Sequence, residues 1–374
     1  MGHLPIGGRC LFYLYKRGNI MTTLLTVAEF NSQDYGLKEL VTIYKQTRDP
    51  LIKDVINSDE RWAEKETVCG SVIFGSIIPP GVLTIERHKY RHPMTPDSNP
   101  NYIVNLDVLK AMMAWWCSPM QMLSLFLFGE TGTGKTEFVT YFCDKMNCPL
   151  VTLQTNESLR CEQLFGGFQL INNETVFNYG GLAAAAKYGW CFLADELDKA
   201  SGDITSKLHG ATDRKPVMID DTGEVIPLHN NYRFIGTGNT SGNGNTSGRY
   251  HTSQSFDEAF KLRFAFVEVP YPEPKVELAI LTQFEDITVL TKKRMIKFAN
   301  QMRNSLKDGD FSAAFSTRSL VAWCYYMQTF GAKSVPMKRS FDFAFGNSLN
   351  EDDKEVTEGL LTRIFGDDLN HPDK

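Results

Sequence analysis

From about residue 101 onward, short runs of consecutive apolar residues alternate with stretches of helical period. The runs are 122–128 (MLSLFLF), 149–153 (PLVTL), 190–194 (WCFLA), 232–236 (YRFIG) and 264–269 (FAFVEV), with amphipathic stretches near 134–146, 181–188, 201–212 and 255–262. Strands apolar at nearly every position are buried on both faces, and helices between them predict a parallel, doubly wound sheet. After Pro270 and Pro272 the strands cease. Residues 273–284, 288–306, 317–330 and 351–365 all carry helical periodicity, so a helical unit is expected behind the α/β one. The chain thus divides into 1–100, an α/β region 101–270 and a helical region 271–374.

Two stretches interrupt the alternation as hairpins. In 166–181 (GGFQLINNETVFNYGG), alternating residues flank Asn172-Asn173, a pair that tolerates turn conformations. In 215–228 (KPVMIDDTGEVIPL), the DDTG turn separates two short strands. Residues 1–100 carry less pattern: a helix around Leu37–Arg48, then PPG at 79–81 and ERHKYRHPMTPDSNP (86–100), which reads as a loop leading into the main domain. His88 and His92 sit four apart, but Pro93 and the neighbouring bases speak against a helical metal pair.

The 374 residues are 42% hydrophobic and 22% charged, enough for two or three cores and too apolar for a disordered chain. Net charge is −5, the wrong sign for a broad nucleic-acid footprint. Residues 341–374 hold nine acids and three bases, which leaves the rest nearly neutral and reads as a solvated helical end. Eight scattered cysteines, without a C-x-x-C pair or zinc spacing, read as buried thiols in a reducing compartment, and the cytoplasm is expected. The apolar stretch Leu11–Tyr15 is too short for a signal-peptide core, and Met21 offers an alternative start. Residues 111–129 lack charge, but Ser118, Pro119 and Gln121 break them, so a helix end, a turn and a buried strand are expected instead of a membrane span.

The chemistry begins at the end of the first apolar run. Gly129-Glu130-Thr131-Gly132-Thr133-Gly134-Lys135-Thr136 fits G-x-x-x-x-G-K-[ST], between a predicted strand and a predicted helix. There the glycines let backbone N–H groups wrap phosphates, and the helix N-terminus adds a favourable dipole. Lys135 is expected to neutralise the β- and γ-phosphates of ATP and Thr136 to ligate Mg²⁺. Sixty residues on, an apolar strand ends in Asp195-Glu196. Asp195 would hold the Mg²⁺, directly or through water, and Glu196 would polarise the attacking water. Asn239, at the tip of the strand RFIGTG, places an amide where it could meet both the γ-phosphate and that water.

This order of motifs resembles the AAA+ ATPases. More narrowly it is similar to the clade with an insert in helix 2, which includes the MoxR proteins and the small ATPase subunit of aerobic cobaltochelatase. The likeness covers roughly residues 100–330. GETGTGKT (129–136) resembles Walker A, FLADE (192–196) Walker B and Asn239 sensor 1. Segment 239–264 is similar to the cobaltochelatase stretch leading into the arginine finger, which implies Arg263 for that role. FSTRSLVAW (315–323) is similar to the sensor 2 segment and implies Arg318. The finger motif usually reads D-R-F and here reads Leu262-Arg263-Phe264, so Arg249 also stands as a trans-acting arginine. The resemblance implies a P-loop NTPase parallel sheet flanked by helices and followed by a small helical lid. It further implies a homo-oligomeric ring, a hexamer in the family, and a protein partner with a von Willebrand factor A domain.

A ring-forming ATPase that remodels a protein partner leads the functional readings, followed by the ATPase subunit of a cobaltochelatase-like metal-insertion complex. A nucleic-acid motor rests only on two basic patches, Lys292/Lys293/Arg294/Lys297 and Lys333/Lys338/Arg339, in a chain of negative charge.

Overall fold

The computed structural model describes residues 10–16, 19–25, 30–47, 49–118, 122–171, 173–244, 253–309 and 311–371. Five parallel strands form the central sheet: β1 Ser124–Phe128, β2 Leu150–Gln154, β3 Cys191–Asp195, β4 Arg233–Gly238 and β5 Phe264–Glu268. Their spatial order is β5-β1-β4-β3-β2, so β4 lies between the strand that feeds the glycine loop and the strand that ends in Asp195.

Alternation along each strand feeds two cores. Leu125 and Leu127 face one side with Phe138, Phe142, Leu193 and Ile235, under helices α3 (Leu106–Trp116) and α4 (Lys135–Lys145). Phe126, Phe192, Ala194 and Phe234 face the other, under α5 (Gly181–Tyr188) and α6 (Gly202–Thr212). Phe126 sits edge-on to Phe256 and Phe264, with ring centroids 5.5 and 5.8 Å away.

The expected hairpins are present as Gly166–Ile171 with Glu174–Tyr179 and Val217–Ile219 with Glu224–Ile226. Behind the sheet, α7 (Pro274–Ile280), α8 (Val289–Asp308), α9 (Thr317–Phe330), α10 (Met337–Ala344) and α11 (Glu351–Phe365) enclose a third core around Phe298, Phe315 and Trp323. Helix α10 lies outside the four stretches whose periodicity predicts helix, because Pro336 and the aromatic-rich 341–345 obscure its short period.

The acidic end is only partly solvated. Asp353 is buried and accepts hydrogen bonds from the backbone and hydroxyl of Ser312. The basic patches pair with it: Arg294 meets Asp368 at 2.7 Å and Lys338 meets Glu358 at 3.3 Å, while Lys292 is buried.

The first hundred residues are more structured than their pattern suggested. Helices α1 (Leu37–Gln46) and α2 (Pro50–Asn57) pack with Trp62 around a small core. Residues expected in a loop enter a strand instead, since Thr84–His88 pairs with Lys65–Cys69. His88 and His92 are both buried. His88 contacts the carbonyl of Trp62 through Nδ1, and His92 is ringed by Tyr44, Trp62 and Trp190. A separate hairpin pairs Cys10–Lys16 with Asn19–Leu25. No helix among the described residues is long and apolar enough to cross a membrane.

Candidate functional site

Parallel strands end at one edge, so side chains at their C-terminal tips converge across the switch between β1 and its neighbours. β1 runs straight into the glycine loop, and α4 starts at Lys135. Positive φ angles at Gly129 (154°) and Gly132 (77°) allow the turn. Space is equally restrictive: a Cβ at Gly129 would lie 2.3 Å from the Val269 carbonyl oxygen, and one at Gly132 would lie 2.4 Å from Ser316 Cβ.

Within the loop, Lys135 Nζ donates to the carbonyls of Gly129 (2.8 Å) and Glu130 (3.0 Å) and to Asn239 Oδ1 (3.3 Å). Burial pulls this ammonium down to about 8, against the opposing charges of Asp198, Asp195, Glu130 and Glu196. The side chain is a desolvated cation folded onto backbone oxygens, ready to exchange them for anionic ones.

Beside it, Asp195 Oδ1 accepts from Thr136 Oγ1 at 2.7 Å and from Thr237 Oγ1 at 2.6 Å. Thr237 is fully buried and also accepts the backbone N–H of Glu196 at 3.0 Å, so one β4 hydroxyl sets both acids. Glu196 has a left-handed backbone, φ 56°, a conformation that costs a non-glycine residue of order 1 kcal/mol and recurs at functional sites. Its Oε2 accepts from Gln154 Nε2 at 3.0 Å and pairs with Lys199 Nζ at 2.9 Å. Burial raises its carboxyl, but Lys199 and Gln154, with the charge of Lys135, pull it below the ordinary range.

The donor set of Thr136 hydroxyl and Asp195 carboxylate suits a hard cation that takes the rest of its oxygens from phosphate and water, as Mg²⁺ does. Among the described residues no group of three or more His, Cys, Asp or Glu side chains could hold a metal unaided.

A cavity of about 560 Å³ opens on the loop's far side, lined by Tyr102, Ile103, Val104, Gly132, Gly134, Val276 and Arg318. It spans the sheet region and the helical region, and its size fits a nucleotide base and ribose. Arg318 occupies the first turn of α9 behind the cap formed by Ser316, whose Oγ accepts the Ser319 N–H at 3.1 Å. Tyr271 bridges the two regions as well, donating to the Thr131 carbonyl at 2.9 Å while its ring packs 4.2 Å from the Arg303 guanidinium.

Lys135, Thr136, Asp195, Glu196 and Asn239 are thus brought together, and Arg318 lies on the adjoining cavity. Arg263 is not among them. It precedes β5, and its carbonyl accepts the N–H of Ser124 at the start of β1. With ~3.3 Å per strand residue, that end lies about 16 Å from the loop. Arg249 lies outside the described residues.

Sequence reasoning missed Gln154, Thr237, Asp198 and Lys199. A signal existed for the first two, since each puts a polar side chain at the tip of an apolar strand neighbouring β3, as Asn239 does.

Comparisons with known proteins show the family. Residues 124–264 match the AAA domain of the dynein-related subfamily, and residues 277–365 match the CbbQ/NirQ/NorQ C-terminal domain. The protein CbbQ of Hydrogenophilus thermoluteolus is 30% identical over 225 residues, covering 60% of this chain and 80% of that one. NorQ of Paracoccus denitrificans is 28% identical over 248 residues, 65% of this chain and 87% of that one. The aerobic cobaltochelatase subunit CobS of Sinorhizobium sp is 23% identical over 285 residues, 73% of this chain and 84% of that one. The chain belongs to the MoxR-like AAA+ ATPases, in the group that holds CbbQ, NorQ and CobS.

Proposed function

We propose that the chain binds and hydrolyses ATP with Mg²⁺ and works as a ring-shaped motor that remodels a protein partner. The observation that carries this reading is the split placement of its polar groups. Lys135, Thr136, Asp195, Glu196 and Asn239 share one edge of the sheet, while Arg263 stands at the opposite edge, where its own site cannot use it.

In this reading residues 129–136 hold the phosphates, with Gly129, Glu130, Thr131, Gly132, Thr133 and Gly134 giving the backbone cradle and Lys135 the charge. Thr136 and Asp195 hold Mg²⁺, which when bound neutralises phosphate charge. Glu196 orients and deprotonates the attacking water, and Asn239 fixes the geometry between that water and the terminal phosphate. Arg318 reports lid position to the same phosphate. Arg263 completes the site of the adjacent subunit, where a guanidinium is worth roughly 10³–10⁵ in rate for related chemistry. Residues 1–100 add a unit to the α/β domain and lid, and the partner carries a von Willebrand factor A domain. Metal insertion in a cobaltochelatase-like complex is a narrower version of the same motor, supported by the CobS likeness.

The test is ATPase rate per subunit against protein concentration, followed by mixing of variants. Arg263→Ala and Glu196→Gln subunits should each be inactive and should recover turnover when mixed. A mixture that stays inactive while forming rings would overturn the trans placement of Arg263. Tight ATP binding by Lys135→Ala would overturn the phosphate site.

A further inference from the structure

Two residues beyond Glu196, Asp198 is fully buried, although an isolated carboxylate is unfavourable in such a place unless it is paired or hydrogen-bonded. No basic side chain contacts it within hydrogen-bond distance among the described residues. Its Oδ2 instead collects donors from two separate stretches of chain. On one side are the backbone N–H groups of Asn239 (3.0 Å) and Thr240 (3.3 Å), with the Thr240 hydroxyl at 3.4 Å. On the other is the hydroxyl of buried Ser253 at 2.8 Å, and the Asp198 carbonyl accepts the N–H of Gln254 at 2.7 Å. Oδ1 has no partner among the described residues.

These two stretches are the outgoing and returning limbs of the excursion between β4 and β5. They are joined again by the Asn243–Ser255 bridge and by the Phe256 N–H to Gly242 carbonyl bond of 2.9 Å. The outgoing limb carries Asn239. The returning limb continues through Phe256 and Phe260, stacked edge-on at 5.2 Å, to Arg263. An acceptor as strong as a carboxylate, shared by both limbs, fixes them relative to each other and to the Asp195-Glu196 turn.

We propose that Asp198 is a positioning residue that sets two things with one oxygen: the aim of Asn239 in its own site, and the limb that presents Arg263 to a neighbouring subunit. The inference rests on the trans role of Arg263 proposed above. It adds that a subunit's own site and the arginine it lends are mechanically one unit, so that a change at Glu196 and Asn239 is felt at the interface.

The test uses full-length Asp198→Ala, Ser253→Ala, Asn239→Ala and Arg263→Ala chains. Asp198→Ala should lose about a hundredfold in kcat and keep its affinity for ATP within about threefold. Asp198→Asn, whose amide oxygen can accept the same bonds, should regain most of that loss. Asn239→Ala subunits mixed with Arg263→Ala subunits should recover turnover, because the former still lend an arginine. Asp198→Ala subunits should fail in the same mixture, and Ser253→Ala, which loosens only the returning limb, should rescue less well than Asn239→Ala. Rescue by Asp198→Ala equal to that by Asn239→Ala would overturn the inference.

If even Asn239→Ala fails to rescue, the trans reading of Arg263 is what falls. Amide exchange then decides for Asp198. Loss of protection at both Asn239–Thr240 and 253–256 in Asp198→Ala, or in Ser253→Ala at 253–256 should the former not fold, supports the clamp, and unchanged protection overturns it.

Discussion

Arg263 and Asp213 form an ion pair at the sheet edge opposite the glycine loop, with Nε 2.8 Å from Oδ1 and an Nη2 hydrogen bond of 3.1 Å to Oδ2. Asp213 is the C-cap of α6, and Arg263 also donates through Nη1 to the Ala259 carbonyl. Both side chains are about a quarter exposed, so the pair adds at most about 1 kcal/mol to stability. Its effect is directional: a planar guanidinium hydrogen-bonded through Nη1 to Ala259 and through Nη2 to Asp213 has little freedom to rotate.

The first prediction follows from that restraint. Asp213→Ala leaves the arginine in place but unaimed, so kcat should fall about tenfold, less than for Arg263→Ala. ATP affinity and ring assembly should be unchanged in both, as read by nucleotide titration and sedimentation. An Asp213→Ala enzyme with wild-type kcat would show that the pair does not aim the guanidinium.

Gly132→Ala carries the second prediction. The added Cβ meets Ser316 at 2.4 Å in a left-handed backbone, and Ser316 caps the helix that bears Arg318. Strain of roughly 1–3 kcal/mol is expected from conformation alone. Relief requires the lid to move off the loop, so ATP affinity should fall about tenfold or more while the far end of the sheet is untouched. Equal affinity in calorimetric titration would mean that the loop and lid are not pressed together in solution.

Much of this site was legible because its signals are local. The glycine loop lies within eight consecutive residues, and Asp195, Glu196 and Asn239 each sit where an apolar run stops. The strands were legible for the same reason, as buried runs of five or six residues. What escaped depends on distant pairing. Gln154 matters only because β2 lies beside β3, and Asp198 only because two limbs more than forty residues away fold back onto it. The strand at Thr84–His88 ends in Arg87-His88, with Arg91 and His92 close behind, and shows no clean alternation; only its partner Lys65–Cys69 makes it a strand. Burial of His92 among three aromatic rings has no local signature at all.

The lid supplies the third prediction. Arg303 and Glu277 form a buried bidentate pair at 2.7 and 3.1 Å, with Glu277 also accepting from Thr317 at 2.9 Å, one residue before Arg318. Removing one partner strands the other charge, so Arg303→Met should cost about 3–5 kcal/mol in unfolding free energy. Replacing both, Arg303→Met with Glu277→Leu, should restore most of it, while leaving Arg318 less well placed and kcat lowered. If the double variant is as unstable as the single one, the charge argument fails and lost packing explains both.

The last prediction concerns pH. His92 accepts the Met94 N–H through Nδ1 at 3.0 Å, which leaves its proton on Nε2, and Nε2 has no hydrogen-bond partner among the described residues. Burial among aromatic rings, with a smaller contribution from the charge of His88, pulls the imidazole down to about 3. The unfolded chain therefore binds a proton near pH 6.5 that the folded chain refuses until about pH 3. Stability is fully present above the unfolded value and falls as pH drops below it, by up to ~1.4 kcal/mol per pH unit for this group. His88 is shifted upward and works in the opposite direction, so the diagnostic quantity is a difference. Urea unfolding of the wild type and of His92→Phe between pH 7.5 and 5 should show the wild type losing more stability on acidification. Parallel pH profiles would mean that His92 is reached by solvent or a proton donor in the folded protein.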